Sequence, residues 1–273
     1  MIKTSATITM IPELKGGPFL FADDLEQSCR KAAGAGFDAV ELVIPSVDSV
    51  DPENMQDILS KYNLQLAAVS SGGGYLVHKL HLGHPDADRR RQAMQYISHV
   101  IDLAGPFGAV VIIGVMKGYV GQDVDQASAW AYLAEALEAL APQAEKYNTC
   151  LVLEALNRYE SNFVNRLQEG IELIESLKTG GVKLLADLFH MNIEERSIGD
   201  ALRQADRHIG HVHFADSNRR AAGFGHIDFT EVGSALRDID YDAYVSAEIF
   251  PYPDEATASE KTLAAFRKYV LQA

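Results

Sequence analysis

Eight short apolar segments rich in Val, Ile and Leu alternate along this chain with eight longer segments of helical periodicity. The predicted strands are Ala6–Met10, Ala39–Ile44, Gln65–Ser70, Ala109–Ile113, Cys150–Ala155, Lys183–Asp187, Ile209–Phe214 and Ala243–Ile249. The predicted helices are Asp23–Ala35, Pro52–Tyr62, Asp86–Leu103, Asp125–Tyr147, Asn165–Leu177, Ile198–Ala205, Thr230–Leu236 and Ala256–Leu271. Strands that are apolar along their length are typical of a parallel sheet covered by helices on both faces. Eight strand–helix units in a row therefore predict an α/β fold, the (β/α)8 TIM barrel.

The length of the chain fits one such barrel. Its 273 residues would also fit two smaller α/β domains, but no linker rich in Pro, Ser or Gly divides the sequence. A doubly wound open sheet is the alternative architecture. No Gly-x-Gly-x-x-Gly turn follows the first predicted strand, which argues against a dinucleotide-binding sheet. We therefore predict a single domain over residues 1–273.

The charge and the cysteine content argue against several classes of protein. The chain carries 24 Lys and Arg against 38 Asp and Glu, a formal net charge of −14. Binding to nucleic acid or to an anionic membrane depends on Lys and Arg, so we expect neither partner. The two cysteines, Cys29 and Cys150, are too few for a disulfide framework, and we expect both to be buried thiols. Because the sequence has no apolar run of about 18 residues and no signal-peptide core, it predicts a cytoplasmic protein.

Four late strands end in ionisable residues, at the end of a TIM barrel where active sites lie. These residues are Glu154, Asp187, His213 and Glu248. Three carboxylates buried together without a counter-charge would repel one another strongly, and a divalent cation removes that conflict. A set of oxygen ligands with one imidazole favours one Mn²⁺, Co²⁺ or Mg²⁺ ion, with Zn²⁺ as an alternative. The competing interpretation is that each acid separately caps a loop or a helix.

Longer motifs surround these four positions. They are Glu154 with Asn157-Arg158-Tyr159-Glu160, Asp187-Leu188-Phe189-His190-Met191-Asn192-Ile193-Glu194-Glu195, His211-Val212-His213 with Asp216-Ser217-Asn218-Arg219, and Gly223-Phe224-Gly225-His226-Ile227-Asp228-Phe229. From about Cys150 onward the chain resembles the D-tagatose 3-epimerase group of the xylose-isomerase-like TIM-barrel sugar isomerases and epimerases. The resemblance implies a metal ion held by Glu154, Asp187, His213 and Glu248. It also implies substrate contacts from Glu160, His190 and Arg219.

The first half of the chain departs from this family. The segments Ser70–Tyr75, His78–His81 and Gly114–Gly118 do not match the epimerase loops expected there, which leaves the substrate's identity open. We expect Ser71–Gly74 to form a flexible lid, and the alternative is a loop that binds a phosphate through its backbone N–H groups. Glu41 points into the barrel, either as a hydrogen-bonded structural acid or with a role beneath the site.

Proton transfer beside a ketone needs an acid/base group and stabilisation of the enediolate charge, which a metal ion supplies as a Lewis acid. Epimerisation at C3 needs such a group on each face of that carbon. Glu154 and Glu248 are the predicted pair, and Glu160 is predicted to orient His190. The sequence therefore predicts an enzyme, a metal-dependent isomerase of carbohydrate metabolism that epimerises a ketose at C3 through a cis-enediolate.

Three other functions compete with C3 epimerisation. The main alternative is an aldose–ketose, hydroxypyruvate- or inosose-type isomerase with the same metal site. A DNA-repair phosphodiesterase would need more His ligands and a basic face, and a non-enzymatic sugar-binding protein would not need the carboxylate pair. The expected partner is a small-molecule sugar or polyol ketone, and a homo-oligomer, either a dimer or a tetramer, is an alternative to a monomer.

Overall fold

Eight parallel strands pair in sequence order, and β8 pairs back with β1, so that the sheet closes into a barrel. This is the arrangement in a computed structural model, which describes residues 1–271. The strands are β1 (Lys3–Thr9), β2 (Ala39–Val43), β3 (Gln65–Ser70), β4 (Val110–Ile113), β5 (Leu151–Glu154), β6 (Val182–Asp187), β7 (Ile209–His213) and β8 (Tyr244–Ala247). The predicted (β/α)8 barrel is confirmed.

Helices cover the outside of the barrel. They are α1 (Leu25–Ala35), α2 (Pro52–Tyr62), α3 (Gly73–Leu76), α4 (Ala87–Ala104), α5 (Gln126–Glu145), α6 (Leu167–Ser176), α7 (Leu188–Glu194), α8 (Ile198–Ala205), α9 (Phe229–Asp238) and α10 (Glu255–Phe266). Short 3₁₀ turns lie at Pro12–Leu14, Val47–Ser49, Gly105–Phe107, Val115–Lys117 and Asp206–His208, and a π-helical turn at Arg267–Leu271 follows α10. In the part of the chain that the structure describes, no helix is both long and apolar enough to span a membrane.

All the predicted elements are present, with ends that differ by a few residues, but α3 and α7 were not predicted. The segment expected to form a flexible lid is packed instead. Ser71 is buried and donates to the Ile112 carbonyl, and Gly73 lies so close to the Ile44 carbonyl that a Cβ atom would clash with it. The first turn of α3 therefore belongs to the core. Cys29 is a buried free thiol as expected, whereas the free thiol of Cys150 is only half-buried.

Except for α3 and α6, the helices begin where the sequence supplies a side chain that accepts hydrogen bonds from the first turn. The capping residues of α1, α2, α4, α5, α8, α9 and α10 are Asp24, Asp51, Asp86, Asp125, Ser197, Asp228 and Asp254. Asp187 caps α7 in the same way. These caps satisfy backbone N–H groups that the first turn of a helix leaves without partners.

The interior of the barrel has an apolar side and a polar side. Ala68, Ile112, Val152 and Leu185, from β3 to β6, form a small apolar cluster of their own. Across from them, buried polar side chains line β1, β2, β7 and β8; they include Thr7, Glu41, His211 and Ser246. Because buried polar groups are stable only when they are hydrogen-bonded, the polar side is the half of the barrel where a network of side chains is expected.

Candidate metal centre

The four residues predicted as metal ligands meet at the carboxyl end of the barrel. Glu154, Asp187 and His213 are the last residues of β5, β6 and β7, and Glu248 directly follows β8. Each offers one ligand atom, and these four atoms lie within 4.8 Å of one another. Nδ1 of His213 lies 3.2 Å from Oδ2 of Asp187 and 3.4 Å from Oε2 of Glu248. It lies 3.7 Å from Oε1 of Glu154.

Asp187 shows how the capping interpretation and the metal interpretation coexist. Its Oδ1 accepts from the backbone N–H groups of Phe189 and His190, at 2.8 and 3.3 Å, and so starts α7. Its Oδ2 faces Nδ1 of His213. One carboxylate therefore fixes the chain after β6 and still presents an oxygen to the centre.

The carboxyl groups of the cluster differ in their affinity for protons. Burial raises the pKa of Glu154 to about 8, and the nearby carboxylates of Glu248 and Asp187 add to this, against the opposing effect of His213 and Lys117. Burial also acts on Asp187, but His190, His213 and Arg219 hold the pKa of that carboxyl well below its usual range.

Burial and nearby charges also determine the pKa values of Glu248 and His213. Burial acts against the charged form of Glu248, but Arg219 and His213 outweigh it and lower the pKa of that carboxyl. Burial likewise acts against protonated His213, yet the carboxylates of Glu41 and Glu248 raise the pKa of the imidazole well above its usual value. At neutral pH without a metal ion, the cluster therefore keeps protons where a cation would otherwise supply positive charge.

The donor set fits a divalent cation. Three carboxylates and one imidazole are the ligands that Mn²⁺, Co²⁺ and Mg²⁺ accept. The cluster retains protons because its carboxylates need positive charge nearby, and a divalent ion supplies that charge. In addition, Nε2 of His190 is buried beside the cluster without a hydrogen-bond partner among the described residues, 3.7 Å from Oδ2 of Asp187. An unsatisfied buried nitrogen at this place indicates room for an oxygen of a ligand.

Binding of Mn²⁺ to the metal-free protein is expected to release protons, because Glu154 and His213 ligate only when deprotonated. Since burial and its carboxylate neighbours raise the pKa of Glu154 to about 8, the affinity should increase as the pH rises towards that value. Titration calorimetry in buffers of different ionisation enthalpy measures the number of protons released. A Mn²⁺ affinity that stays constant between about pH 6 and 8 would contradict this assignment.

The three residues predicted to contact substrate lie beside the cluster. Arg219 donates from Nη1 to Oε1 of Glu160 at 3.3 Å, and its Nη2 pairs with Oε2 of Glu248. Its guanidinium also lies over the ring of Phe189, 5.0 Å from the centroid. His190 is buried, and its Nε2 lies 3.8 Å from Oε1 of Glu154. The structure thus brings all three next to the four candidate ligands.

The sequence predicts that Glu160 orients His190. In the structure Asn157 is the residue that contacts His190 directly, and Glu160 acts through Asn157. Both the backbone N–H and the side-chain amide of Asn157 donate to Nδ1 of His190, at 3.3 and 2.7 Å. Glu160 lies 3.9 Å from the same nitrogen and accepts from the Asn157 amide at 3.1 Å. Because a backbone N–H only donates, Nδ1 must accept, and the hydrogen of the ring is on Nε2. His190 therefore presents an N–H donor to the centre.

Two further residues at this end of the barrel lie in the segment Gly114–Gly118, which departs from the family. Lys117 is fully buried and donates from Nζ to the backbone carbonyl of Glu154 at 3.0 Å, and burial lowers its pKa to about 7. Gly114 follows β4, and a Cβ atom there would clash with the carboxylate of Glu154. The signal for both was their position just after β4, at the face where the four candidate ligands end their strands.

The chain is similar in sequence and in fold to known proteins. The model of the xylose isomerase-like TIM barrel family matches residues 29–269. The chain is 30% identical over 231 residues to the D-psicose 3-epimerase of Ruminiclostridium cellulolyticum, covering 83% of this chain and 78% of that protein. It is 31% identical over 225 residues to the D-psicose 3-epimerase of Agrobacterium fabrum, covering 81% and 78%. The crystal structure of D-psicose 3-epimerase with D-tagatose from Clostridium cellulolyticum H10 superposes with a TM-score of 0.82 at 24% identity, and both chains are covered completely.

Proposed function

We propose that this chain, which belongs to the xylose isomerase-like TIM-barrel family, is a divalent-metal-dependent ketose 3-epimerase. The observation that carries the proposal is the meeting of Glu154, Asp187, His213 and Glu248 within 4.8 Å at the carboxyl end of the barrel. The similarity to two D-psicose 3-epimerases over about four fifths of the chain supports it. We also propose that residues 1–273 act as one domain.

Glu154, Asp187, His213 and Glu248 would hold one metal ion, for which we propose Mn²⁺, Co²⁺ or Mg²⁺, with Zn²⁺ as an alternative. When bound, the ion supplies Lewis-acid stabilisation of the negative charge that develops on the substrate's oxygens. The remaining work of the reaction falls to the side chains around it.

Glu154 and Glu248 are the proposed acid/base pair. They reach the centre from β5 and from the residue after β8, so they approach a substrate from different sides of the barrel opening. Inversion at C3 requires one carboxylate to remove the proton from one face and a carboxyl group to return a proton to the other.

His190 and Arg219 are proposed to hold the substrate's oxygens. His190 offers an N–H from Nε2, and Nε of Arg219 is a second buried donor without a partner among the described residues. Glu160 connects the two residues. It accepts a hydrogen bond from Arg219 and another from Asn157, which in turn contacts His190. Two fixed donors next to the acid/base pair keep the reacting carbon in one position while the proton is moved.

Replacing Asn157 by Asp is expected to raise KM and lower kcat. The carboxylate that this change introduces cannot donate to Nδ1 of His190 as the amide does, and it lies beside the carboxylate of Glu160. His190 therefore loses the contact that fixes its ring orientation and its hydrogen on Nε2. The expected loss in kcat/KM is about 10- to 100-fold. Steady-state kinetics with the best ketose measure it, and ¹⁵N NMR of the His190 ring reports which nitrogen carries the hydrogen. Unchanged kinetics in a variant whose His190 tautomer has changed would remove this residue from the account.

A screen of free and phosphorylated ketoses with Mn²⁺ and Co²⁺ tests the proposed function. Chromatography separates the substrate from its C3 epimer. The expected result is reversible formation of the C3 epimer from at least one ketose, and only when metal is present. Conversion to an aldose, or no conversion of any ketose, would contradict the proposal, and the first of these outcomes would favour an aldose–ketose isomerase.

A further inference from the structure

A second cluster of buried ionisable residues lies inside the barrel, beneath the candidate metal centre. Glu41 on β2 contacts His211 and His213, which both lie on β7. Nε2 of His211 lies 2.8 Å from Oε2 of Glu41, and Nε2 of His213 lies 3.2 Å from Oε1. All three side chains are buried. The proposed reaction uses neither Glu41 nor His211.

Glu41 points into the barrel by the ordinary alternation of side chains along β2. The pairing of β2 with β1 is regular there, and Glu41 lies opposite Thr7, which is also buried. The register shift between β2 and β3 skips Ala67 on β3 and leaves β2 regular. The Glu41 side chain reaches from β2 to β7, where it meets the one imidazole of the candidate metal centre.

The hydrogen-bond partners determine where the ring hydrogens lie. A carboxylate only accepts hydrogen bonds. Each oxygen of Glu41 faces one Nε2, so the Nε2 atoms of both His211 and His213 carry a hydrogen and donate it. The other nitrogen of His213, Nδ1, faces the carboxylates of Asp187 and Glu248. The ring of His213 thus has its donor side towards Glu41 and its second nitrogen towards the centre.

We propose that Glu41 is a positioning residue, which holds His213 with its hydrogen on Nε2 so that the lone pair of Nδ1 is presented to the metal ion. This inference rests on the proposed function, because it needs His213 to be a metal ligand. Carboxylates that accept from the free nitrogen of a ligating imidazole fix its tautomer and orientation and increase its basicity. His211 occupies the second oxygen of Glu41 and so restrains the carboxylate against rotation.

A second metal ion held by Glu41, His211 and His213 is the competing explanation for this cluster. The hydrogen bonds account for the cluster without an ion, since each carboxylate oxygen already accepts from one imidazole. Nδ1 of His211 is buried with no hydrogen-bond partner among residues 1–271 and does not face Glu41. His213 can also present only one lone pair, and that lone pair faces the other centre.

The test uses Glu41→Leu and Glu41→Gln, with Mn²⁺ and Co²⁺ alone as probes in titration calorimetry of the metal-free protein. Glu41→Leu removes the acceptor and is expected to weaken metal binding by about 10- to 100-fold. Glu41→Gln is expected to lose less, because its carbonyl oxygen still accepts from one ring. The matched control is His211→Gln, which keeps a donor to Glu41 and is expected to bind metal with nearly wild-type affinity.

Two further measurements keep the test decisive. In the Zn²⁺-loaded wild type, ¹⁵N NMR of His213 is expected to show the hydrogen on Nε2, and a hydrogen on Nδ1 would overturn the inference. If Glu41→Leu does not fold, the double variant Glu41→Leu/His211→Leu removes both buried polar partners and takes its place. A folded variant of either kind that binds Mn²⁺ as tightly as the wild type would overturn the inference, as would two ions per wild-type chain. A wild-type protein that binds no divalent ion would instead refute the proposed function itself.

Discussion

Replacing Glu154 or Glu248 by Gln is expected to lower C3 epimerisation by about 10²- to 10⁴-fold. The amide neither removes nor returns a proton at neutral pH, and it is a poorer ligand for a divalent cation than a carboxylate. Turnover of the best ketose, read by chromatography, measures the first effect. Metal content per chain, measured on the same samples, separates a lost acid/base group from a lost ion.

Glu194→Gln is the matched control for these two variants. Glu194 belongs to the same stretch of chain as His190, but its carboxylate binds the guanidinium of Arg158 at 2.8 Å and does not face the centre. The control is expected to keep wild-type turnover and metal content. Should Glu154→Gln or Glu248→Gln likewise keep both, the assignment of these two carboxylates would be wrong.

Removing the metal with EDTA is expected to abolish turnover and to lower the melting temperature, and adding Mn²⁺ or Co²⁺ is expected to restore both. An ion that binds only the folded chain stabilises it by about 2.7 kcal/mol at a free concentration of 100 Kd. The effect is large here because the centre otherwise holds three buried carboxyl groups together. Thermal unfolding at increasing Mn²⁺ concentration, followed by circular dichroism, measures the shift.

Asp187→Asn distinguishes the effect of losing a metal ligand from the effect of losing the cap of α7. Asparagine caps helices about as well as aspartate, so the start of α7 is kept, whereas the charge of the ligand is lost. At Mn²⁺ concentrations that saturate the wild type, the melting temperature of this variant is expected to equal its melting temperature without Mn²⁺. A full Mn²⁺-dependent shift in the variant would show that Asp187 is not a ligand.

Much of the fold and of the centre was predictable because both depend on short-range patterns. Apolar strands and amphipathic helices repeat with clear periods, and the parallel barrel places the ends of neighbouring strands side by side. Ionisable residues at the ends of β5, β6 and β7 and just after β8 therefore had to meet. Helix α7 was not predicted because no loop separates it from β6. Asp187 is both the last residue of the strand and the cap of the helix.

The remaining features depend on contacts between distant parts of the chain. The pairing of Asn157 with His190 and that of Glu41 with His213 join segments that no local pattern relates. Burial of Lys117 depends on how the loops after β3 and β4 pack together, since the backbone of Leu82 donates to the carbonyl of Met116. These loops lie in the first half of the chain, where the sequence also left the substrate open.

The most direct test of the proposed reaction is epimerisation in D₂O. A two-base mechanism removes the hydrogen at C3 on one face and returns one from a different group on the other. The product is therefore expected to carry one deuterium at C3, as seen by NMR and mass spectrometry, and this label should disappear with turnover in Glu154→Gln and Glu248→Gln. A C3 epimer that retains the substrate's own hydrogen at C3 would contradict the account.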